Sequence, residues 1–316
     1  MPEFRQDYLT KEWVAIAPQR DERPNSFEEA SLLDNNECPF CPQNKHLVLP
    51  DVLKHNNVRV IPNKFPILDK NSHSGYGYHE VVIDTPLHTR LLHELSCDEI
   101  TDVLIAIKQR AKLHYRDKKI KYVQIFKNQG APAGASISHS HWQIVALPFL
   151  PEKKRIMAES FSSFHLQHKL CFSCEAHKEL GPLEIIRHGG VVAYAPYAAL
   201  YKNGVNISVI KHISQLTEMD TPLLTELSFV LKACLLGLTT LYPKLSYNII
   251  FYSHPQKSWH FYFQIVPRKG NSAGYELATG CTINSVNPLD TALALRQGIL
   301  LNRHILDVPY HFKKGE

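Results

Sequence analysis

Two Cys-x-x-Cys pairs, each followed by two widely spaced histidines in the same order, constrain this chain more than any other feature. The first set is Cys38, Cys41, His88 and His139, and the second is Cys171, Cys174, His212 and His260. In each set one histidine follows a predicted strand, a long predicted helix intervenes, and the second histidine opens the last strand. Self-similarity of this kind marks an internal duplication. Two thiolates and two imidazoles close a tetrahedral shell that zinc tolerates, so the pattern predicts structural zinc, one or two ions per chain. The rival reading of Cys38-Pro39-Phe40-Cys41 is a glutaredoxin-like redox pair. Such a pair normally opens a helix, whereas Pro42 and Gln43 with little apolar periodicity follow here. Cys97, Cys234 and Cys281 stand alone and read as buried small apolar residues.

The elements between the ligands also repeat. Strands are predicted over 58–61, 79–83, 122–126 and 139–147, then over 191–194, 205–210, 247–252 and 259–266. Ser96 and Glu99 form a capping box ahead of Ile100, Val103, Leu104, Ile107 and Ala111 at helical spacing. A second helix starts near Thr221, with Pro222 in its first turn, and ends before Pro243. Its predicted inner face is Leu224, Leu227, Leu231, Cys234, Leu235 and Leu238, and a last helix is predicted over 289–301. The predicted architecture is α/β (α+β): two antiparallel-sheet halves with helices, 1–155 and 156–316, meeting near 151–164.

Composition narrows the function. At 316 residues and 44% hydrophobic content the chain can bury one large core or two medium ones. A net charge of +5, spread along the sequence, suits phosphate-bearing substrates and lacks the basic block of a nucleic-acid partner. No stretch is expected to reach membrane-spanning length; the segment 229–241, broken by Lys232 and Gly237, reads as an amphipathic helix. The first 13 residues have no apolar core of a signal peptide, so a cytoplasmic location is expected.

The most informative segment is 128–143, Asn-Gln-Gly-Ala-Pro-Ala-Gly-Ala-Ser-Ile-Ser-His-Ser-His-Trp-Gln. On a strand, residues two apart share a face, so His139, His141 and Gln143 can point the same way. The small residues before them let backbone N–H groups approach a phosphate, and Gly134 to Ser136 is a candidate cradle. It lacks the Gly-Lys-Ser/Thr ending of a P-loop. At the matching place the second half reads His260-Phe261-Tyr262-Phe263-Gln264, with a tyrosine where the first half has His141.

These residues resemble the galactose-1-phosphate uridylyltransferase family of the histidine-triad superfamily, most of all its ADP-sugar phosphorylase and adenylyltransferase-like members. The resemblance covers most of the chain. It runs through Leu9-Thr10-Lys11-Glu12-Trp13, Arg20-Asp21-Glu22-Arg23-Pro24, the first Cys pair, the segment 58–65, Gly77-Tyr78-His79-Glu80-Val81-Val82-Ile83, the loop above, and Gly274-Tyr275-Glu276-Leu277. It implies a duplicated histidine-triad-like fold and a nucleotidyltransferase that moves a nucleoside monophosphate between a nucleotide sugar and phosphate or a hexose 1-phosphate. His141 would be the nucleophile, Gln143 would hold the phosphoryl group, and Ser136 with Gly134 and Ala135 would bind its oxygens. A neutral imidazole suits that attack because its phosphoramidate is a good donor. The resemblance further implies nucleotide contacts from Arg20, Arg23, Asn63, Phe65 and Asn128, and sugar contacts from Tyr275 and Glu276. The implied partners are those substrates, with a homodimer allowed and neither nucleic acid nor membrane.

Two rivals stay open: a nucleotide-conjugate hydrolase, against which Gln143 stands because such hydrolases generally have a third histidine there, and a zinc-stabilised nucleotide-binding protein without turnover. The sequence departs from the family at Trp142, where relatives usually have a small residue. It departs again at Val209-Ile210-Lys211-His212, which is one residue shorter than the usual pattern.

Overall fold

A computed structural model describes residues 3–18, 38–268 and 273–306. Ten strands form one sheet. From the first half come β3 (Leu53–His55), β4 (Val58–Pro62), β5 (Tyr78–Ile83), β6 (Tyr122–Gln129) and β7 (His141–Leu147). From the second come β8 (Glu184–His188), β9 (Val191–Tyr194), β10 (Val205–Val209), β11 (Tyr247–Tyr252) and β12 (Tyr262–Pro267). Their order is β3-β4-β5-β7-β6-β11-β12-β10-β9-β8, with antiparallel neighbours throughout. The order reads the same from either edge once each strand is matched to its counterpart, as the duplication requires. The halves join where β6 pairs with β11, from Phe126 opposite Ile250 to Gln129 opposite Tyr247.

Alternation divides the sheet into two faces. Val82, Val123, Ile125, Trp142, Ile144, Ile207, Ile249, Phe263 and Ile265 belong to the main core. That core lies beneath α1 (Cys97–His114), α4 (Thr221–Leu241) and α6 (Pro288–Leu301). The predicted box caps α1: Ser96 Oγ accepts from Glu99 N at 3.1 Å and Glu99 Oε2 accepts from Ser96 N at 2.8 Å. Asp220 caps α4 by accepting from Leu223 N at 3.0 Å. Trp142 lies in this core with its ring edge-on to Phe251, so the family departure at that position is a packing choice on the far side of the strand.

Helix α4 corrects two expectations. It is long and apolar enough to cross a membrane, with a mean hydropathy of 1.5 over its most apolar window, of which 72% is buried inside the protein. Nor is it amphipathic in its second half, because every residue from 227 to 238 is buried. The cause is its place between the sheet, α1 and α6, which leaves no wet side. Each fully buried leucine along it contributes roughly 1.5–3 kcal/mol.

The opposite face differs between the halves. In the second half α2 (Glu152–His168) covers it, packing Met157, Ala158 and Phe161 with Leu9 against Trp259 and Tyr262. The segment read as the junction of the halves is therefore part of an ordered helix. In the first half no helix among the described residues covers the same face, which carries the cleft described below. Short pieces complete the fold: α3 (Phe172–Ala176), α5 (Gly274–Thr279), and a small sheet of β1 (Glu3–Gln6), β2 (Trp13–Ile16) and β13 (Thr282–Asn284).

Candidate active site and metal centres

The two Cys/His sets assemble as predicted, each with all four donor atoms within 4.8 Å of one another. In the first, His139 Nδ1 lies 3.7 Å from Cys38 Sγ and 3.6 Å from Cys41 Sγ, and His88 Nδ1 lies 3.4 Å from Cys41 Sγ. In the second, His260 Nδ1 lies 3.4 Å from Cys171 Sγ and 3.5 Å from Cys174 Sγ, with His212 Nδ1 3.9 Å from Cys174 Sγ. Zinc bonds of about 2.3 Å to sulfur and about 2.05 Å to nitrogen at the tetrahedral angle put the two donors about 3.6 Å apart. Both sets could hold a metal ion of that size.

The outer hydrogen bonds strengthen the fit. His139 Nε2 donates to the Thr85 carbonyl at 2.7 Å, His260 Nε2 to Val209 at 2.8 Å, and His212 Nε2 to Lys257 at 2.8 Å. A carbonyl only accepts, so each ring carries its proton on Nε2 and turns the Nδ1 lone pair toward the thiols. His88 Nε2 lies 3.0 Å from Ser138 Oγ. The shortened segment before His212 has not displaced it from the set. Cys41 leads into a short 3-10 turn, Pro42–Leu47, where a redox pair would open an α-helix. The remaining cysteines, Cys97, Cys234 and Cys281, are buried, as expected.

Strand β7 begins at His141, so His139 precedes the strand, contrary to the predicted span of 139–147. The chain leaves extended pairing there because the His139 ring is drawn to Thr85 and the thiols. His260 stands in the same relation to β12. His141 sits on the face that carries the cleft, 7% exposed, with Phe40 from the first Cys pair packed edge-on to its ring at 5.0 Å. Its Nδ1 donates to the His139 carbonyl at 2.8 Å, which leaves the lone pair on Nε2. Burial, and after it the charge of Lys127, pushes the pKa of His141 down to about 4, so the ring is neutral at neutral pH.

His141 lines a cavity of about 190 Å³ together with Gln143, Ser136, Asn63 and Phe65. Pro39, Phe40, Val48 and Ile61 supply an apolar wall, and Lys64 adds a positive charge. Five of the predicted site residues thus share one cleft. Gly134 (φ +82) and Ala135 belong to the loop that leads to Ser136, and Asn128 is held by Asn248, which also bonds the Ala133 carbonyl at 2.8 Å. These three shape the loop and do not line the cavity. Tyr275 and Glu276 lie on α5, apart from the cleft wall, and Glu276 caps its own helix by accepting from Ala273 N at 3.0 Å. Arg20 and Arg23 fall outside the described residues.

Sequence reasoning missed the support behind this strand. Lys127 and Asp84 are completely buried and paired at 2.8 Å; Lys127 also donates to Ser140 Oγ at 2.7 Å and to the His141 carbonyl at 3.1 Å. It also missed His79, which stands 2.8 Å from the Gln143 carbonyl oxygen. In the second half the equivalents are occupied by packing: Tyr262 stacks on Tyr252 at 4.4 Å, and Gln264 donates to Asn206 at 3.0 Å.

Comparison with known proteins agrees with this geometry. A family model described as the galactose-1-phosphate uridyl transferase N-terminal domain matches residues 1–151. An ADP-glucose phosphorylase of Arabidopsis thaliana is 32% identical over 94% of this chain and 93% of its own length. A galactose-1-phosphate uridylyltransferase of Thermotoga maritima is 26% identical over 94% of this chain and 98% of its own. The crystal structure of the Arabidopsis enzyme with bound ADP-glucose superimposes with a TM-score of 0.86 over 94% of this chain and 98% of that one. A likeness of this extent, end to end, makes the chain a member of the galactose-1-phosphate uridyl transferase family.

Proposed function

We propose that the chain moves a nucleoside monophosphate between a nucleotide sugar and phosphate or a hexose 1-phosphate, through a covalent nucleotidyl group on His141. The observation that carries this reading is the His141 ring: Nδ1 is committed to the His139 carbonyl, and the ring lines a cleft beside Gln143 and Ser136. In the first step Nε2 attacks the α-phosphorus and a P–N bond forms. The bond from that phosphorus to the bridging oxygen breaks, and hexose 1-phosphate leaves with the bonding pair. In the second step an oxygen of phosphate or of another sugar phosphate attacks the same phosphorus and frees the histidine. Gln143 and Ser136 donate to the phosphoryl oxygens, where negative charge grows during transfer. The apolar wall receives base and ribose, with Asn63 and Phe65 at its edge.

We assign zinc to both Cys/His sets. Bound there, it would cross-link each half of the sheet to its Cys-x-x-Cys turn; with four protein ligands it has no vacant position for substrate. Thiolates kept for metal suit a reducing, cytoplasmic setting. In this reading 1–155 carries the chemistry and 156–316 keeps the metal and the fold. The cleft lends no support to the sugar contacts read for Tyr275 and Glu276. ADP-glucose is the first donor to test, because the relative that is 32% identical is named for it. Single-turnover mixing should release glucose 1-phosphate without added phosphate, in an amount matching the enzyme. Release that needs phosphate from the outset would contradict a covalent intermediate.

A further inference from the structure

We propose that His79 is a positioning residue that sets the polarity of the Gln143 amide, so that its N–H groups and not its carbonyl face the transferring phosphoryl group. The inference rests on the function proposed above and deepens it. In the β5–β7 register, His79 pairs with Val145 and Val81 with Gln143, which makes His79 and Gln143 diagonal neighbours on one face. His79 is buried behind the cleft and does not line it.

The polarity follows from one donor that cannot be turned round. The backbone N–H of Ile67 points at His79 Nδ1 from 3.3 Å, so that nitrogen presents its lone pair. Burial lowers the His79 pKa and keeps the ring neutral, with its single proton on Nε2. Gln143 Oε1 lies 2.8 Å from that nitrogen and accepts the proton. The only other polar side chain at Nε2 among the described residues is Asn63, whose Oδ1 is taken by Phe65 N at 2.9 Å; its Nδ2, 3.1 Å from Nε2, could donate there only with the ring proton on Nδ1, where the fixed Ile67 N–H excludes it. The Gln143 oxygen is thus held against His79, and its amide nitrogen is left for the cleft. The two ends of a glutamine amide are alike in shape but opposite in chemistry. A donor stabilises phosphoryl oxygens, and a carbonyl in the same place repels them.

The test uses ADP-glucose and single-turnover formation of the nucleotidylated chain. His79→Leu frees the amide to turn and should slow the step about tenfold, whereas His79→Glu, which only accepts, inverts the amide and should cost over about 100-fold. His79→Gln still offers an N–H and should recover most of the rate lost in His79→Leu. In a Gln143→Ala background the His79 substitutions should add no further loss. Equal losses in both backgrounds, or a His79→Glu variant faster than His79→Leu, would overturn the proposal. On the unaltered chain, nitrogen-15 NMR should find the His79 proton on Nε2; a proton on Nδ1 overturns the proposal even if every variant fails to fold. A wild-type chain that forms no adduct would refute the proposed function instead, and the NMR result would still decide the tautomer of His79.

Discussion

Replacing Lys127 with methionine should destabilise the protein far more than the loss of one side chain suggests. Lys127 and Asp84 are both fully buried, and the ammonium makes three hydrogen bonds, to Asp84, Ser140 and the His141 carbonyl. Without it Asp84 keeps, among the described residues, a single partner, the Ser140 hydroxyl at 2.6 Å on Oδ2, while its Oδ1 has none there. An uncompensated buried carboxylate costs about 3–5 kcal/mol. Asp84→Asn strands the ammonium in the same way and should cost a similar amount. Removing both charges leaves only neutral groups short of partners, so the double variant should lose about 1–3 kcal/mol, well below the sum of the singles. Equilibrium urea denaturation followed by tryptophan fluorescence is the assay, and Trp142, 5.7 Å from the ammonium, is a local reporter. A Lys127→Met variant within about 1 kcal/mol of wild type, or additive single losses, would show that Lys127 does not neutralise a buried Asp84 charge.

Four further outcomes are expected. The purified chain should hold two zinc ions by elemental analysis, and Cys38→Ser and Cys171→Ser should each remove one. Cys38→Ser should slow nucleotidylation more than Cys171→Ser, because Phe40 between the first pair packs on the His141 ring; the reverse order would contradict the account. Burial alone would raise the pKa of Glu80, but His114 at 3.1 Å and Arg110 hold it below the ordinary carboxylate range. Its contribution is therefore complete above the unfolded carboxylate pKa and lost as pH falls through the lowered value. Glu80→Gln should flatten the acid limb of stability against pH, and an unchanged limb would remove Glu80 from the explanation. Gly130 has φ +83 and ψ 153, and a Cβ there would collide with Ser246. Gly130→Ala should cost about 1–3 kcal/mol and lower the melting temperature.

Much of this molecule could be read before any coordinates. The ligand order predicted both Cys/His sets, because a duplicated core must return equivalent residues to equivalent places. The capping box at Ser96 and the proline in the first turn of α4 marked helix starts by local chemistry alone. Elements whose cause is not local escaped. Strands β1, β2 and β13 have three or four residues each and exist only by pairing with one another. Helix α2 hid behind its charged residues, although Met157 and Phe161 turn inward. Lys127 and Asp84 look like ordinary surface charges until the fold buries both. The part assigned to His79 requires a strand register, which no motif spells out. The length test for a membrane span failed at α4 because a core helix covered on all sides carries the same apolar signature.

The chemistry proposed for this chain turns on the covalent intermediate. Intact-protein mass spectrometry after brief mixing with ADP-glucose, with UDP-glucose alongside, tests it most directly, using His141→Ala as control. Wild-type chain should show an acid-labile gain of one nucleoside monophosphate, absent in the variant and discharged by phosphate. An adduct that persists in His141→Ala, or exchange activity retained there in full, would contradict it.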